Sequence, residues 1–580
     1  MSASHAVPRV EDTRAIRQFL KTTVGAWLDR KDGLIECLHG IQDAYGCLPK
    51  PILSVLAELR RQSVAELFGV ASFYHHFHVV DGIPMQSVQT VRVCQGVSCA
   101  LQGAASLLET LTAQCGAQHA LRIEAAPCVG RCEHAPVAVV GQQPLHNVSI
   151  EAVVDTIGRG EWLHPASLDQ SDFDPVVCLD QHGGCLPRAE TVAPDWVGLE
   201  AYLSAGGYQQ LAAIRRSPDA AEHALAELSA ATLRGLGGAG FPAGRKWSIV
   251  KQQPAPRLLV VNLDEGEPGT FKDRTYLERD PHRFLEGLLI AAQVVDVHRC
   301  YIYLRDEYAG ARAVLQRSLE ALVSAELVAP DMIELRRGAG AYICGEESAL
   351  IESIEGHRGE PRHRPPYVAE RGLFGRPTLV HNFETLYWVR DILARGARWW
   401  NGFGRHGRAG LRSYSVSGRV REPGVKLAPA GITLSELIHE YCGGMAPGHT
   451  LYGYFPGGAS GGLLPATMAD LPLDFDTLQS VGCFIGSAAI VVFSEADRAR
   501  DLAEQTMAFF QHESCGQCTP CREGTHQARA QMQVAQWDSD ALSLLADVLR
   551  EGSICGLGQA APNTWECVQR YFPHEVARND

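Results

Sequence analysis

The chain has 580 residues, 46% of them hydrophobic and 20% charged, with a formal net charge of −14. That length needs several cores, roughly one per 100–200 residues, and that charge repels a nucleic acid backbone rather than seeking it. No stretch reaches the ~20 apolar residues of a membrane helix and the N-terminus lacks a secretory h-region, so a cytoplasmic protein without membrane insertion is expected. There its 18 cysteines serve as metal ligands and free thiols rather than disulfides.

In chain order, AIRQFLKTTVGAWLDR and GLIECLHGIQDAYG carry apolar residues three and four apart, which predicts helices over residues 14–80. YGCLPKP and FGVASFYHHF punctuate them. Over 88–155, SVQTVRVC, LRIEAAPC and VAVVG read as strands, with helical CALQGAASLLETLTAQCG after the first. That series predicts a small α/β or thioredoxin-like unit. Residues 164–197, rich in Pro, Asp and Gly, read as a linker. From 198 to about 400, strands RLLVVNLDE, RCYIYLRDE and MIELRRG alternate with helices, as in a layered nucleotide-binding domain. Residues 414–441 predict two strands and a helix, CFIGSAAIVVF (483–493) a buried strand, and the last 85 residues helices broken by a cysteine motif.

Eight cysteines fall into two patterned sets. Cys94-x4-Cys99 and Cys128-x3-Cys132 each follow a strand. ESCGQCTPCREG (513–524) holds Cys515, Cys518 and Cys521, and the missing fourth ligand is Cys555 of GSICGLGQ. Zinc sites favour two C-x2-C knuckles. C-x2-C-x2-C with one remote cysteine suits a [4Fe–4S] cluster better, and the first set suits [2Fe–2S], with zinc the competitor for both. Cys37, Cys47, Cys115, Cys300, Cys344, Cys442, Cys483 and Cys567 read as buried thiols, and Cys178 and Cys185 as linker residues.

RGLGGAGFPAGRKW (234–247) contains G-x-G-x-x-G, but a helical segment precedes it and Pro242 closes it. The usual dinucleotide fingerprint follows a strand. This loop instead reads as a phosphate cradle of backbone N–H groups with Lys246 as point charge. In VVNLDEGEPGTFKDR (260–274) a strand runs into Asn262, Asp264, Glu265 and Glu267, where open α/β sheets bind ligands. GAGAYICGEES (338–348) repeats the pattern at Gly345, Glu346 and Glu347, with a plain helix start as the alternative reading of the two acids. Carboxylates there suit ribose hydroxyls and disfavour a 2′-phosphate. Iron–sulfur clusters carry single electrons and nicotinamide a hydride, so a chain with both needs a converter such as FMN.

GGAGFP, GRKW, DEGEPGTFKDR, GAGAYICGEES, PTLVHNFET and the C-terminal cysteine motif together resemble the NADH-oxidising flavoprotein subunit of respiratory complex I. IQDAYGCLP, GVASFYHHF and the two cysteine pairs of residues 33–132 resemble its small [2Fe–2S] subunit. Both in one chain resemble the larger diaphorase subunit of cytoplasmic NAD-reducing [NiFe] hydrogenases, with related subunits in NAD-dependent formate dehydrogenases. The resemblance implies a multidomain α/β fold: an N-terminal helical bundle (1–85), a thioredoxin-like [2Fe–2S] domain (86–163), the linker (164–197), a Rossmann-like FMN and NAD(H) domain (198–400), a β-grasp-like domain (401–495) and a C-terminal helical bundle with the [4Fe–4S] site (496–580).

It also implies FMN contacts at Gly235, Gly237, Lys246, Asn262, Asp264, Tyr342, Gly345, Glu346, Asn382 and Thr385. NAD contacts are implied at Phe241, Glu265, Glu267, Phe271 and Glu347, the last selecting against NADP. His381-Asn382 replaces the family's Asn-Asn, so only Asn382 is carried over. RPPY replaces Lys-Pro-Pro-Phe, and Arg364 and Tyr367 keep its charge and aromaticity as NAD contacts. No acid–base residue is implied, because hydride passes between nicotinamide and flavin. The implied partners are an iron–sulfur diaphorase subunit and the hydrogenase large and small subunits in a hetero-oligomer, or the corresponding formate dehydrogenase or complex I assembly.

Overall fold

The computed structural model describes residues 12–116, 121–159, 177–178 (backbone only) and 197–576. Four N-terminal helices, Thr13–Leu28, Leu34–Tyr45, Lys50–Arg60 and Val64–Ala71, bury Leu20, Leu38, Ile41 and Leu56 against one another. The last runs into FGVASFYHHF, a segment expected to punctuate the helices. Ser63 and Glu66 form a reciprocal cap that satisfies two orphan N–H groups, and the helix then runs through FGVA. Short strands β1 (Leu48–Pro49) and β2 (Val79–Val80) pair beside it.

A four-stranded sheet follows: β3 (Gln89–Cys94), β4 (Leu121–Ala126), β5 (Ala138–Val140) and β6 (Gln143–Leu145), in the order β4-β3-β5-β6. β3 and β4 are parallel and the rest antiparallel. β6 is a hairpin return too polar to register as a strand in the sequence pattern. β7 (Val177–Cys178) lies in the expected linker, yet its backbone pairs with a strand 250 residues away in the chain's third sheet. The rest of that linker, with Cys185, lies outside the described residues.

The central sheet has β8 (Arg257–Leu263), β9 (Val297–Leu304), β10 (Ile333–Arg337) and β11 (Thr378–Asn382), all parallel, in the order β10-β9-β8-β11. β8 is apolar almost throughout because helices cover both faces. Helix Pro281–Val295 is buried along nearly its whole length. The order reverses beside β8, and a doubly wound sheet opens a crevice at the strand ends where that happens. Asn262 and Asn382, the last side chains of β8 and β11 to pair, stand opposite each other at that point.

The third sheet is mixed: β12 (Leu411–Gly418), β13 (Gly424–Pro429), β14 (Leu451–Phe455), β15 (Leu464–Pro465) and β16 (Ala489–Ser494), ordered β15-β14-β16-β12-β13-β7. Only the second half of CFIGSAAIVVF is strand, since Gly486 and Ala488 take positive φ and break the extension. C-terminal helices Ala499–Glu513, Thr519–Gln533, Ser539–Gly552, Gly556–Ala560 and Asn563–Tyr571 close the chain. No helix of the described residues is long and apolar enough to cross a membrane.

Candidate active site

A cavity of about 300 Å³ opens at the β8/β11 crevice. Its walls include Gly237 and Gly238 of the glycine loop, Asn262, the run Asp264 to Glu267, Tyr342, Gly345, Glu346 and Asn382. Asn262 Nδ2 donates to the Gly345 carbonyl (2.8 Å), and its Oδ1 accepts from the Asp264 N–H (3.0 Å). One amide thereby fixes two of the three loops. Asn382 Nδ2 donates to Asp273 (2.6 Å), while its Oδ1 caps the helix that follows β11. The Thr385 hydroxyl accepts from the Leu236 N–H (2.9 Å) and so holds the glycine loop. A Cβ on Gly237 would lie 2.8 Å from that of Asn382, so only glycine permits this approach.

The acids of the cavity are not equivalent. Burial raises the Asp264 carboxyl well above its usual range, and its Oδ2 has no hydrogen-bond partner among the described residues. Glu265 accepts from the N–H groups of Asp273 and Arg274 (2.8 and 3.1 Å) and from Tyr308 (3.0 Å), and burial likewise raises it. Glu267 bonds the Tyr342 hydroxyl and the Ser460 N–H and Oγ. Glu346 caps helix Glu347–Ile354, as the helix-start reading has it, and also lines the cavity. Glu347 sits between Lys246 (3.3 Å) and Arg364 (3.2 Å).

Both cysteine sets border this cavity. Cys94, Cys99, Cys128 and Cys132 are all at most 3% exposed, and the Cys128 and Cys132 sulfurs are 3.3 Å apart. The Cys128 sulfur also meets the thiol of Cys94 and the N–H of Gly269. Thr270 walls the cavity while Phe271, next in sequence, packs on Cys128, Cys132 and Val425. Arg305 ties the Cys128 carbonyl (2.7 Å) to the Glu265 carbonyl, and Arg274 ties the Gly130 carbonyl (3.0 Å) to Glu133 and Glu278.

At the other end, Cys515 lies in the turn between two helices. Cys518 and Cys555 occupy N-cap positions of Thr519–Gln533 and Gly556–Ala560, and Cys521 lies in the first turn of Thr519–Gln533. The N–H groups of Leu557 and Gly558 face the Cys555 sulfur. Gly556 and Leu557 are also cavity wall.

Three family descriptions match the chain in succession: a thioredoxin-like [2Fe–2S] ferredoxin over residues 20–160, the Nuo51 FMN-binding domain over 228–391 and the NADH-ubiquinone oxidoreductase-F iron–sulfur binding region over 501–579. A second F-type subunit of the NADH-quinone oxidoreductase of Rhizobium meliloti is 39% identical over 399 residues, which is 66% of this chain and 94% of that one. The chain belongs to the family of F-type subunits of NADH-quinone oxidoreductase. The F-type subunit of Aquifex aeolicus is 37% identical over 65% of this chain and 90% of its own. Among solved structures, an NAD+-reducing [NiFe]-hydrogenase in the H2-reduced state superposes with a TM-score of 0.80 at 30% identity, covering 95% of this chain and 94% of that one. The protein is therefore an NAD(H)-dependent oxidoreductase with an FMN-binding domain and two iron–sulfur regions.

The donor sets suit those groups. Four buried thiols gathered in one place, with the Cys128 sulfur meeting those of Cys94 and Cys132, form the soft ligand set that an iron–sulfur cluster uses. At the C-terminal set, two helix N-termini direct N–H groups and positive dipole ends toward the thiols, as an anionic cluster requires. Burial pushes Cys521 up to about 11 and Cys555 to about 12, so cluster assembly must release their protons. For FMN, the glycine loop and Asn262 offer donors and the acids offer acceptors.

The structure brings Gly237, Asn262, Asp264, Tyr342, Gly345, Glu346 and Asn382 into the cavity, with Glu265 and Glu267 beside them. Gly235, Lys246 and Thr385 stand behind or beside the wall. Phe241 and Tyr367 are surface rings outside the cavity wall, Tyr367 55% exposed, and Arg364 pairs with Glu346 and Glu347. Phe271 is the correction. Its ring is fully buried on the cysteines of the first set, with no face left for a nicotinamide. His381 is also buried, its Nε2 accepting from Trp247 Nε1–H (2.7 Å). Residues that the sequence motifs do not reveal include Ser460, Phe484, Ser487 and Leu557, which reach the cavity from the third sheet and the C-terminal helices. Lys272 and Asp273 lie within the DEGEPGTFKDR motif, which by itself assigns them no role. Their buried ion pair (2.6 Å), joined by Glu384, braces Asn382.

Proposed function

We propose that this chain is the diaphorase subunit of a cytoplasmic NAD+-reducing hydrogenase, exchanging hydride between NAD(H) and FMN and single electrons between FMN and its clusters. Its partners would be an iron–sulfur diaphorase subunit and the hydrogenase large and small subunits. The observation that carries this reading over complex I is coverage. The F-type relatives account for about two thirds of the chain, whereas the hydrogenase chain spans the fused N-terminal [2Fe–2S] region too.

Bound FMN supplies the conversion between a hydride and two single electrons. The chain's residues supply orientation and charge. The glycine loop, with Lys246 behind it, would hold a phosphate; Asn262 and Asn382 fix the loops that border the crevice; and Glu346 would present an acceptor. Glu347, flanked by Lys246 and Arg364, stands where a ribose 2′-phosphate would be repelled. Tyr342 and Gly556 line the side toward the Cys515, Cys518, Cys521 and Cys555 set, while Thr270 lines the side toward Cys94, Cys99, Cys128 and Cys132. The division into bundle, thioredoxin-like, FMN, β-grasp-like and C-terminal domains belongs to this proposal, as do the remaining FMN and NAD contacts.

The test is anaerobic purification with its partners. About six irons and one FMN per chain, bleaching by NADH far more than by NADPH, and H2-dependent NAD+ reduction by the assembly are expected. Formate-dependent or quinone-dependent turnover instead would assign the chain to a formate dehydrogenase or to complex I. A colourless, zinc-loaded protein would remove the redox reading altogether.

A further inference from the structure

Beside the two cysteine sets lies a second cavity, of about 340 Å³, where the N-terminal region, the central sheet and the end of helix Ala499–Glu513 meet. His75 and His512 both line it, their rings stacked with centroids 4.0 Å apart. Between them is Glu513. Its Oε1 is 3.1 Å from His512 Nδ1 and its Oε2 4.0 Å from His75 Nε2, and one ligand atom from each of the three lies within 4.8 Å of the others. In tetrahedral zinc coordination, ligand atoms at ~2.0–2.1 Å from the metal are about 3.3 Å from one another. The His512–Glu513 separation lies close to that value and the His75–Glu513 separation is longer, so an imidazole must turn out of the stack to bring both lone pairs onto one ion.

We propose that His75, His512 and Glu513 form a binding site for a divalent transition metal ion of the zinc class, with solvent at the fourth position.

Several independent features support it. The imidazoles are 39% and 46% exposed at the side chain, so an ion can reach them, while the carboxylate is 2% exposed and fixed in direction. The fixing bond is the Tyr342 N–H to Glu513 Oε2 (2.8 Å), the kind of supporting contact that orients a metal-bound carboxylate. His75 is anchored by its own N–H to the Gly340 carbonyl (3.3 Å). His512 and Glu513 are the last two residues of a 15-residue helix, whose C-terminal dipole favours a cation.

Two other histidine–carboxylate groups fail on charge. In His39–His76–Asp306 the carboxylate already holds Arg312 and Arg337, and in Glu352–Glu355–His357 both acids hold Arg362. Among the described residues no lysine or arginine forms an ion pair with Glu513. The ligands are nitrogen and oxygen, so the site is chemically distinct from both cysteine sets. It would clamp the N-terminal region to the turn that starts at Ser514-Cys515.

Equilibrium dialysis of the anaerobic full-length holoprotein against Zn2+ tests this without reference to the redox partner. One zinc per chain should bind with iron and FMN content unchanged, and X-ray absorption should show only N/O ligands at ~2.0–2.1 Å. His75→Gln and His512→Gln should each weaken binding at least tenfold while keeping iron and flavin. Absence of a zinc equivalent at micromolar zinc, equal binding by both variants, or sulfur ligands at ~2.3 Å, which would place the zinc in a cysteine set, would overturn it.

Discussion

The two cysteine sets hold the same four ligands in opposite surroundings. Cys94, Cys99, Cys128 and Cys132 are dry, walled by Phe271 and strapped to the central sheet by Arg274 and Arg305. In the C-terminal set only Cys521 is buried. The other three thiols are partly open, and helix N-termini rather than ion pairs surround them. The first site is thus a joint between domains, and its geometry depends on their packing. The second is built at the ends of two 15-residue helices and one short one, and three of its thiols remain partly open to solvent.

The strongest way to break the contrast is at the joint. Arg274→Ala removes the arginine paired with the buried Glu133 carboxylate and leaves Glu278 with Arg131 alone. It should cost about 3–5 kcal/mol and release the two-iron signal while the four-iron signal persists, as denaturant titration and EPR would show. Gly130→Ala should follow at about 2–3 kcal/mol, because Gly130 has φ +70° and an added Cβ would lie 2.1 Å from the Tyr308 hydroxyl. Gly558→Ala, beside Cys521 and Ser553, should be milder, and equal losses would refute the idea that only the first site is a rigid joint.

The shared cavity gives the middle of the scale. In FMN-free protein, folding raises the Asp264 carboxyl above its usual 3.8 by burial. The folded state then holds the proton more tightly than the unfolded chain. That contribution is complete below the unfolded value and is lost as pH rises through the folded one. Asp264→Asn should therefore gain on the wild type by up to about 1.4 kcal/mol per pH unit across that window, and parallel stability–pH curves would show Asp264 to be ionised throughout. Glu347→Gln should raise the NADPH/NADH ratio of kcat/KM by about tenfold. Lys246 and Arg364 already offset part of its charge, so a hundredfold change would mean that neither pairs with it in the complex. The smallest effect is kinetic. A chelator should remove C-terminal iron a few-fold faster than N-terminal iron in stopped-flow absorbance.

Sequence spacing made the local features legible. The C-x2-C-x2-C run needs one turn and one helix start, and the glycine and acid motifs sit at a strand end and a helix start that flanking periodicity reveals. Even the rejection of a strand before the glycine loop agrees with the structure, where helix Pro218–Ala230 precedes it. Residues whose role depends on distant partners were not legible. Phe271 shares a motif with cavity residues, yet β12, β13 and the first cysteine set enclose it, because its backbone N–H bonds Ser415 (3.1 Å) and turns the ring away. Ser460 carries no motif, and the stretches that hold Phe484 and Leu557 assign them no cavity role, since their place in the wall is fixed by how a third sheet and a terminal helix pack on the first crevice. The sequence by itself determined the ligand types, their spacing and the strand ends that carry them, because these are short-range properties of backbone and chemistry. Only the tertiary structure decided that one cavity borders both cysteine sets and that one set is buried and the other open, because packing between domains sets burial and spacing does not encode it.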